Sequence, residues 1–532
     1  MRRTRTIAAL IATLSLALAA CDAGSATTSA EAGQPVDGGS LTWGIETEPI
    51  TFNPHQYAQA KARLLVGNSF EGLLTHDDKG GYVPLLASGY EASPDGRAYT
   101  FKLRSGVRFS DGTAFDAAAV KANIDQLRAA GYAPAVAAVQ LHSLKDVEIP
   151  DPATVVFRLT APDVLFLDFL SSPQGAIVSP ASLKAAKNLK AGGPELAGTG
   201  PFILDRYTAG QEVHFKRNPA YWGSRPAYLD EVTYRFLKEP SVRVGALTSG
   251  QVQVIEGVPA TDQALITGDL TLSKGLNSGS AYSYYLNAAH APFDDVKVRQ
   301  AFRDALDVNT VLDAVYRGTA TRAWSVVSPT SPFYDKSLEN SYGDNPARAN
   351  QLLDEAGWTQ RDADGFRTKD GKRLTVRLVQ SAPFVRDRRD ILAQTVQAAV
   401  RKSAGIDLNV AVVDQGTATK ALADGAYEVF DNSRADTDAG AALNLLLRSG
   451  GAINRTGVTD PEVDKLLAQG DAGTDRLGAY SNVQQKVVTQ QALVLPLYAP
   501  ADQIAASRSV GGLGFEPTAG VPVSAYGVWL AK

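Results

Sequence analysis

The second half of the chain alternates predicted strands and helices, and this alternation constrains the fold more than any other feature. The apolar, β-branched runs Leu374–Gln380, Ile406–Val413 and Tyr427–Asp431 predict strands. Helical periodicity predicts the intervening helices Arg388–Lys402 and Thr417–Ala423. Strands joined by a helix usually run parallel, through right-handed crossovers. We therefore predict a doubly wound α/β unit here, with a mostly parallel sheet.

A β-hairpin is predicted in the first half of the chain, over Gly198–Gly223. Val213 and Phe215 alternate with polar neighbours, which is the period-two pattern of a half-buried strand. Gly210 lies at the tight connection, where a residue without a side chain is favoured. By itself this pattern indicates only a sheet element of an α/β protein.

The N-terminus is typical of a bacterial export signal. Three arginines fall within the first five residues, and the apolar run 7–18 is too short to span a bilayer. Leu18–Cys21 (LAAC) is similar to a lipobox, which predicts cleavage before Cys21 and a diacylglyceryl thioether on its sulfur. A plain secretory signal and a twin-arginine signal are the alternatives. We predict a signal peptide over 1–20 and a lipid-anchored flexible linker over 21–39.

Length and composition limit the class of protein. At 532 residues the chain exceeds what a single core usually supports, so at least two lobes are expected. Cys21 is the only cysteine, and lipidation would leave no thiol for a disulfide. Without the three signal arginines, 49 basic residues stand against 56 acidic ones, and no basic run suits a nucleic acid.

Four segments provide a more specific indication: Pro84–Asp116, Gly198–Gly223, Val298–Val308 and Asn345–Trp358. In this order and spacing they resemble the extracellular solute-binding proteins of ABC importers, in the oligopeptide, dipeptide and nickel class (family 5). The resemblance runs over nearly the whole mature chain. It implies an α/β, periplasmic-binding-protein-like two-lobe fold (type II, cluster C-like), with an extra α+β subdomain in the first lobe.

The resemblance also implies a division of the chain. Three pieces should form lobe I, one insertion should form the α+β subdomain, and one long segment should form lobe II. These are 40–74, 192–280 and 500–532 for lobe I, 75–191 for the subdomain and 281–499 for lobe II. The hinge is expected at the crossings near Gly279–Asn287 and Leu493–Ala501.

No motif predicts catalysis. The five histidines lack the HxxxH or HExxH spacing of a metal site, and no G-x-S-x-G elbow is present. Gly198–Pro201 lacks the lysine of a phosphate loop. We expect no enzyme and no cofactor; a secreted, lipid-anchored hydrolase is the less favoured alternative.

The binding site is expected at the carboxyl ends of the lobe II strands, where open α/β sheets place their ligands. Asp431 ends the last predicted strand of this unit, and Arg434 and Asp436 follow it. Together they could meet both an ammonium and a carboxylate. In the resembled family, an aspartate of this loop, often within Asp-Pro-Asp, holds the amine of a peptide. Here Asp436–Asp438 stands in its place without the proline. The alternative is that Arg434 pairs with neighbouring acids as a surface network.

Aromatic and loop residues complete the predicted site. Tyr284 and Trp324 lie in regions that face the cleft in the resembled family, and Phe52 and Asn53 belong to a loop that borders it. Core packing is the alternative for the aromatic residues. No metal site is predicted, although His55, near the same loop, could serve a receptor for a metal chelate.

The resemblance implies a substrate-binding receptor that captures an extracellular solute between two lobes and delivers it to a membrane permease. A short peptide is the expected solute; a metal chelate, an opine or another non-peptide solute is the alternative. The expected partners are the solute, the transmembrane subunits of an ABC permease and, through Cys21, the outer face of the cytoplasmic membrane. A monomer that binds no nucleic acid is expected.

Overall fold

The computed structural model describes residues 33–56, 62–132, 140–436, 438–451, 453–473 and 475–531. Cys21 and the predicted signal peptide lie outside these residues. Among the residues described, no helix has the length and apolar character needed to cross a bilayer. The chain forms two lobes, each built on a mixed sheet.

The first lobe is organised around its first strand. Ser40–Ile45 lies inside the sheet and pairs parallel with Glu231–Phe236 and Val254–Glu256. The other pairings in this sheet are antiparallel. Within the described chain its seven strands lie in the order Leu270–Leu276, Ala501–Ser507, Val254–Glu256, Ser40–Ile45, Glu231–Phe236, Glu212–Arg217 and Phe202–Thr208.

The predicted hairpin is confirmed and forms one edge of this sheet. Phe202–Thr208 and Glu212–Arg217 pair antiparallel, and Gly210 between them has a φ of +72°. Val213 and Phe215 are buried, as the alternation predicts. The hairpin therefore contributes one apolar face to the core of the first lobe.

The turns beside the hairpin converge on one buried carboxylate. Glu71 accepts hydrogen bonds from the Thr199 hydroxyl (2.8 Å), the Tyr221 hydroxyl (2.8 Å) and the Trp222 ring N–H (2.7 Å). Burial raises the pKa of Glu71, and these three donors oppose the rise. Both ends of the hairpin are thereby tied to the segment before the strand Leu74–His76.

An α+β unit is inserted into the first lobe. Its four described strands are antiparallel, in the order Ala87–Ala92, Ala98–Leu103, Thr154–Leu159 and Leu144–Asp151. Aspartate is a favoured N-cap residue, and Asp116 occupies this position in the structure, where its side chain accepts from the amide of Ala119 at the start of Ala117–Arg128. Among the described residues, the other helices before the second lobe are Ala62–Val66, Leu165–Ser171, Pro180–Ala185 and Pro240–Thr248. Leu74–His76 and Tyr82–Pro84 form a small separate sheet.

The sheet of the second lobe is only partly parallel. Thr375–Ser381 pairs parallel with Asp407–Val413 and Val429–Asn432, as predicted. The pairings of Tyr282–Leu286 and Val494–Ala499 are antiparallel, so the prediction of a mostly parallel sheet is wrong. Tyr282–Leu286 enters from the first lobe and Val494–Ala499 leads back to it, so neither belongs to the series of strands joined by single helices from which the parallel sheet is predicted. The order in the described sheet is Thr321–Arg322, Val494–Ala499, Tyr282–Leu286, Val429–Asn432, Thr375–Ser381 and Asp407–Val413.

Helices cover this sheet. Asn345 caps the helix Pro346–Glu355, with its side chain accepting from the Arg348 amide; asparagine at the cap and proline at the first helical position are both favoured by their local chemistry. The remaining helices in the described part of the second lobe are Val296–Asp304, Val308–Tyr316, Arg389–Ala404, Gln415–Ala423, Ala439–Leu447, Pro461–Asp471 and Arg476–Gln485. Short strands complete the fold at Gln360–Arg361, Arg367–Lys369, Lys372–Arg373, Val510–Gly511 and Trp529–Leu530.

The described chain crosses between the lobes at two adjacent places. The first crossing lies between Leu276 and Tyr282, and the second is Pro500 alone. Leu276 pairs with Ala501 in one sheet, and Tyr282 pairs with Tyr498 in the other. The two crossings therefore run side by side, next to the site described below.

Candidate functional site

A cavity of about 340 Å³ lies between the two lobes, beside the crossings. The first lobe contributes Thr47, Arg63 and Asp168 to its lining, and the second lobe contributes the ends of two parallel strands. Those ends are Ser381 and Asn432, with Asp431 just before the latter, and both strands are followed by polar loops. The cavity thus occupies the edge of the second sheet at which the sequence predicts a ligand.

The charged side chains in the described lining are arginines and aspartates in equal number. The arginines are Arg63, Arg386, Arg389, Arg434 and Arg455, and the aspartates are Asp168, Asp387, Asp431, Asp436 and Asp502. A lining with both signs of charge suits a solute that itself carries both signs. Phe384 and Phe430 add apolar surface.

Arg434 and Asp436 form an ion pair within the lining. Arg434 Nε lies 2.6 Å from Asp436 Oδ2, and Arg434 Nη2 lies 2.7 Å from Oδ1. Burial disfavours the charge of Arg434, but the Asp436 carboxylate outweighs it and raises the pKa of the guanidinium. The pair is therefore bidentate and charged.

The backbone of this loop is held by the first crossing. The Arg434 carbonyl oxygen accepts from the Ser280 amide (2.8 Å) and from Asn277 Nδ2 (2.9 Å). The Arg434 amide donates to Ser280 Oγ at 2.8 Å. A Cβ atom on Gly279 would lie 2.4 Å from the same carbonyl oxygen, so this close approach requires glycine. The loop and the crossing can therefore move only together.

Asp431 is anchored from the core of the second lobe. Its Oδ2 atom accepts hydrogen bonds from the Tyr282 hydroxyl and from Gln380 Nε2, the latter at 2.9 Å. Tyr282 and Gln380 are both fully buried. Burial, and secondarily the Asp431 charge, raise the pKa of Tyr282 well above its usual value, which keeps its hydroxyl protonated as a donor.

Arg389 lies at the start of the helix Arg389–Ala404 and stacks on the same tyrosine. Its Cζ atom is 4.2 Å from the centroid of the Tyr282 ring. Its Nη2 donates to Ser433 Oγ (3.0 Å) and its Nε to the Tyr498 hydroxyl (3.3 Å), both neutral groups. A buried guanidinium at a helix N-terminus presents positive charge to the cavity.

The structure brings only part of the predicted site together. Asp431, Arg434 and Asp436 line the cavity, whereas Phe52, Asn53, Tyr284 and Trp324 do not. The alternative that Arg434 pairs with a neighbouring acid is the arrangement observed, although the pair lies in the cavity wall rather than on an open surface.

Packing contacts within the lobes explain why the three predicted aromatic residues lie outside the cavity lining. Tyr284 is fully buried in the core of the second lobe, with its ring 6.2 Å from that of Tyr282. Phe52 packs edge-on against Tyr207 at 4.8 Å in the first lobe. Trp324 is half-buried, with the Arg322 guanidinium 4.1 Å from its ring centroid. Each ring is used by the fold and is unavailable to a solute in the cavity.

The loop after the first strand also has structural contacts. The Asn53 side chain donates to the Tyr132 hydroxyl at 2.8 Å. His55 is fully buried, with Nε2 3.0 Å from the Ala176 carbonyl oxygen, and burial lowers its pKa to about 4. In the part of the chain that the structure describes, no group of three or more His, Cys, Asp or Glu side chains is arranged to hold a metal ion.

Several cavity residues were not predicted from the sequence. Arg386 and Arg389 follow a predicted strand end, and the basic run between them was a usable signal. Arg63 and Asp168 come from helices of the first lobe that carried no such signal. Asp168 lies across the cavity from Arg434 and contributes to the raised pKa of that guanidinium.

A known protein family matches most of the chain. The family model of bacterial extracellular solute-binding proteins, family 5 Middle, matches residues 81–453. The glutathione-binding protein GsiB of Salmonella paratyphi A is 32% identical over 321 residues, which is 60% of this chain and 60% of GsiB. The match therefore spans less than two thirds of the length of that relative.

Solved structures of similar proteins share the fold of this chain over almost its whole length. NikA from Brucella suis in complex with Fe(III)-EDTA has a TM-score of 0.78 at 27% identity, covering 91% of this chain and 98% of NikA. The oligopeptide-binding protein AppA from Bacillus subtilis, in complex with a nonapeptide, has a TM-score of 0.80 at 25% identity. That match covers 94% of this chain and 100% of AppA. The chain therefore belongs to the bacterial extracellular solute-binding proteins, family 5.

Proposed function

We propose that this chain is the receptor of an ABC importer, which captures an extracellular solute between its lobes and delivers it to the permease. The observation that carries this proposal is the interlobe cavity, to which both lobes contribute charged side chains. Closure around a solute needs no covalent chemistry, only a higher affinity of the solute for the closed state. A binding role without catalysis fits this lining.

The two adjacent crossings support a hinge. Only Pro500 separates a strand of the second sheet from a strand of the first, and the Asn277 amide donates to its carbonyl oxygen at 3.3 Å. Rotation at a few such backbone torsions is the usual mechanism of domain closure. We propose that the hinge includes the crossings near Gly279–Asn287 and Leu493–Ala501, and we retain the division into lobe I, subdomain and lobe II given above.

A short peptide is the solute that we favour. GsiB is a glutathione-binding protein and AppA was solved with a nonapeptide, so two similar proteins bind peptides. The cavity of about 340 Å³ is at the small end of ligand sites, which favours a short solute over a long one. The alternative is a metal chelate, for which the NikA complex is the support.

Location and partners complete the proposal. A lipid on Cys21 would hold the receptor at the outer face of the cytoplasmic membrane, next to the transmembrane subunits of the permease. The receptor would act as a monomer.

Small-angle scattering tests closure directly. The protein is unfolded in guanidinium chloride, dialysed to remove its solute and refolded; scattering is then measured with and without the released low-mass fraction. We expect the radius of gyration to fall when that fraction is returned. An unchanged radius with the solute bound would contradict capture by closure.

A further inference from the structure

The aspartate that the family pattern assigns to a peptide amine is already occupied in this chain. Both oxygens of Asp436 accept from the Arg434 guanidinium, at 2.6 and 2.7 Å. An ammonium group at this position would have to displace a bidentate, largely buried partner, and such pairs are among the strongest hydrogen bonds in proteins. A positive group of the solute would therefore bind more readily at another carboxylate.

Asp431 has the geometry for that task. One of its oxygens, Oδ2, is fixed by the buried donors Tyr282 and Gln380. The other oxygen, Oδ1, has no protein donor among the described residues, and the side chain lines the cavity. An ionised carboxylate has about four acceptor sites, so the two buried donors leave capacity for a solute ammonium.

Arg389 supplies a positive group close by. Its hydrogen bonds go to the neutral hydroxyls of Ser433 and Tyr498. Its third nitrogen, Nη1, has no acceptor in the part of the chain that the structure describes. The guanidinium can therefore bind a solute carboxylate without giving up an existing ion pair.

One tyrosine fixes the spacing of these two charges. The Asp431 carboxylate lies at the hydroxyl of Tyr282, and the Arg389 Cζ atom lies 4.2 Å from the centroid of the same ring. The opposite charges are therefore separated by about the length of one aromatic side chain. A linear α-peptide places at least one peptide unit, about 3.8 Å between Cα atoms, between its terminal ammonium and carboxylate. An ammonium and a carboxylate on the same carbon lie closer together than the two ends of a linear α-peptide, and they therefore match the separation between Asp431 and Arg389 better.

We propose that the cavity binds an α-amino-carboxylate head, with its ammonium at Asp431 and its carboxylate at Arg389. Such a head is present in a free amino acid and in a γ-linked glutamyl peptide, whereas an α-linked peptide lacks it. This inference rests on the proposed receptor function and narrows its solute. Arg63 and Arg386 also line the cavity and carry the charge that a second carboxylate of the solute would require.

Two isomeric tripeptides test the proposal. γ-Glutamyl-alanyl-glycine and α-glutamyl-alanyl-glycine have the same mass and formal charge, but only the γ isomer retains a free α-amino-carboxylate. By titration calorimetry on the purified, solute-free protein, we expect the γ isomer to bind roughly tenfold or more tightly than the α isomer. Equal affinity, a preference for the α isomer or no binding of either would overturn the inference.

A double-mutant design separates contact from structural damage. N-acetylation of the γ isomer removes its ammonium and should weaken binding to the unmodified protein by roughly tenfold or more. In Asp431→Asn the same acetylation should weaken binding of the tripeptide by less than about threefold, because the carboxylate that pairs with the ammonium is gone. Asp424 is an exposed carboxylate outside the cavity, so in the control variant Asp424→Asn acetylation should weaken binding as much as it does in the unmodified protein. An undiminished penalty in Asp431→Asn would overturn the role of Asp431.

Failure of this inference is distinguishable from failure of the receptor function. Closure on return of the released low-mass fraction, with no preference between the isomers, would preserve the receptor and reject the proposed head. Absence of closure with any fraction would reject both.

Discussion

The backbone amide of Val164 donates a hydrogen bond to the carbonyl oxygen of Asp471 at 3.0 Å, which joins the inserted subdomain to the second lobe. The Asp471 side chain is buried beside this contact and accepts from Asn444 Nδ2 (2.8 Å) and Arg448 Nη2 (2.6 Å). Burial raises the pKa of Asp471 to about 6, and the negative charge of Asp163 across the contact adds to the rise. The two lobes therefore meet beside a carboxylate that takes up a proton more readily than usual.

Stability should depend on pH through Asp471. The pKa of Asp471 in the folded state, about 6, exceeds its ordinary value of 3.8, so the folded state binds the proton more tightly than the unfolded state. The resulting stabilisation of the folded state is complete below pH 3.8 and is lost as the pH rises through 6. The free energy of unfolding of the unmodified protein, relative to Asp471→Asn, should fall by about 1.4 kcal/mol between pH 5 and pH 7.5. Urea denaturation of both proteins at each pH measures this difference. Asp125→Asn, on an exposed helix, is the control and should show no such change; a pH-independent difference for Asp471→Asn would contradict the assignment.

The loop that carries Arg434 and Asp436 should be sensitive to any side chain at Gly279. In Gly279→Ala, the added Cβ would lie 2.4 Å from the Arg434 carbonyl oxygen and 2.8 Å from the Asp436 amide nitrogen. We expect a loss of about 1–3 kcal/mol in the free energy of unfolding, together with weaker solute binding. Gly245→Ala is the matched control, because its Cβ would meet nothing within 4 Å. In its helix, alanine should increase stability by about 0.5–1 kcal/mol, and equal effects of the two substitutions would refute the steric argument.

The central hairpin should depend on Glu71. Glu71→Leu has a similar size but removes the acceptor of Thr199, Tyr221 and Trp222, so three polar groups lose their partner. We expect a loss of about 3 kcal/mol or more in the free energy of unfolding. Glu91→Leu, on an exposed strand position, is the control for the change of charge. A loss no larger than that of the control, by chemical denaturation, would show that the cluster contributes little.

Membrane attachment should depend on Cys21. Cys21→Ser removes the only thiol that can carry the predicted lipid. The variant should appear in the soluble extracellular fraction, whereas the unmodified protein should sediment with membranes. Continued sedimentation of the variant would refute the lipid anchor.

Local signals in the sequence predicted the elements well. The alternation around Val213 and Phe215 and the caps Asp116 and Asn345 depend on neighbours a few residues apart, so they were visible without the fold. The direction of Tyr282–Leu286 depends on how the chain enters the second lobe, which no local pattern contains. The mostly parallel sheet was therefore the wrong prediction.

The site was predictable only where it follows strand ends. Asp431 lies near the end of a strand and Arg434 and Asp436 come soon after it, and that position indicates the cavity edge. The opposite wall, with Arg63 and Asp168, comes from a part of the chain that is distant in sequence. Tyr284 shows the reverse error, because a tyrosine-rich strand predicts buried rings as readily as exposed ones.

Native mass spectrometry of the protein as purified tests the central claim most directly. Receptors that close around a solute release it slowly, so we expect the intact protein to carry an excess of roughly a few hundred daltons, the mass of a solute that such a cavity holds. Fragmentation of that excess should yield amino-acid residues. A bare protein mass that stays bare after incubation with a peptide hydrolysate would contradict the account.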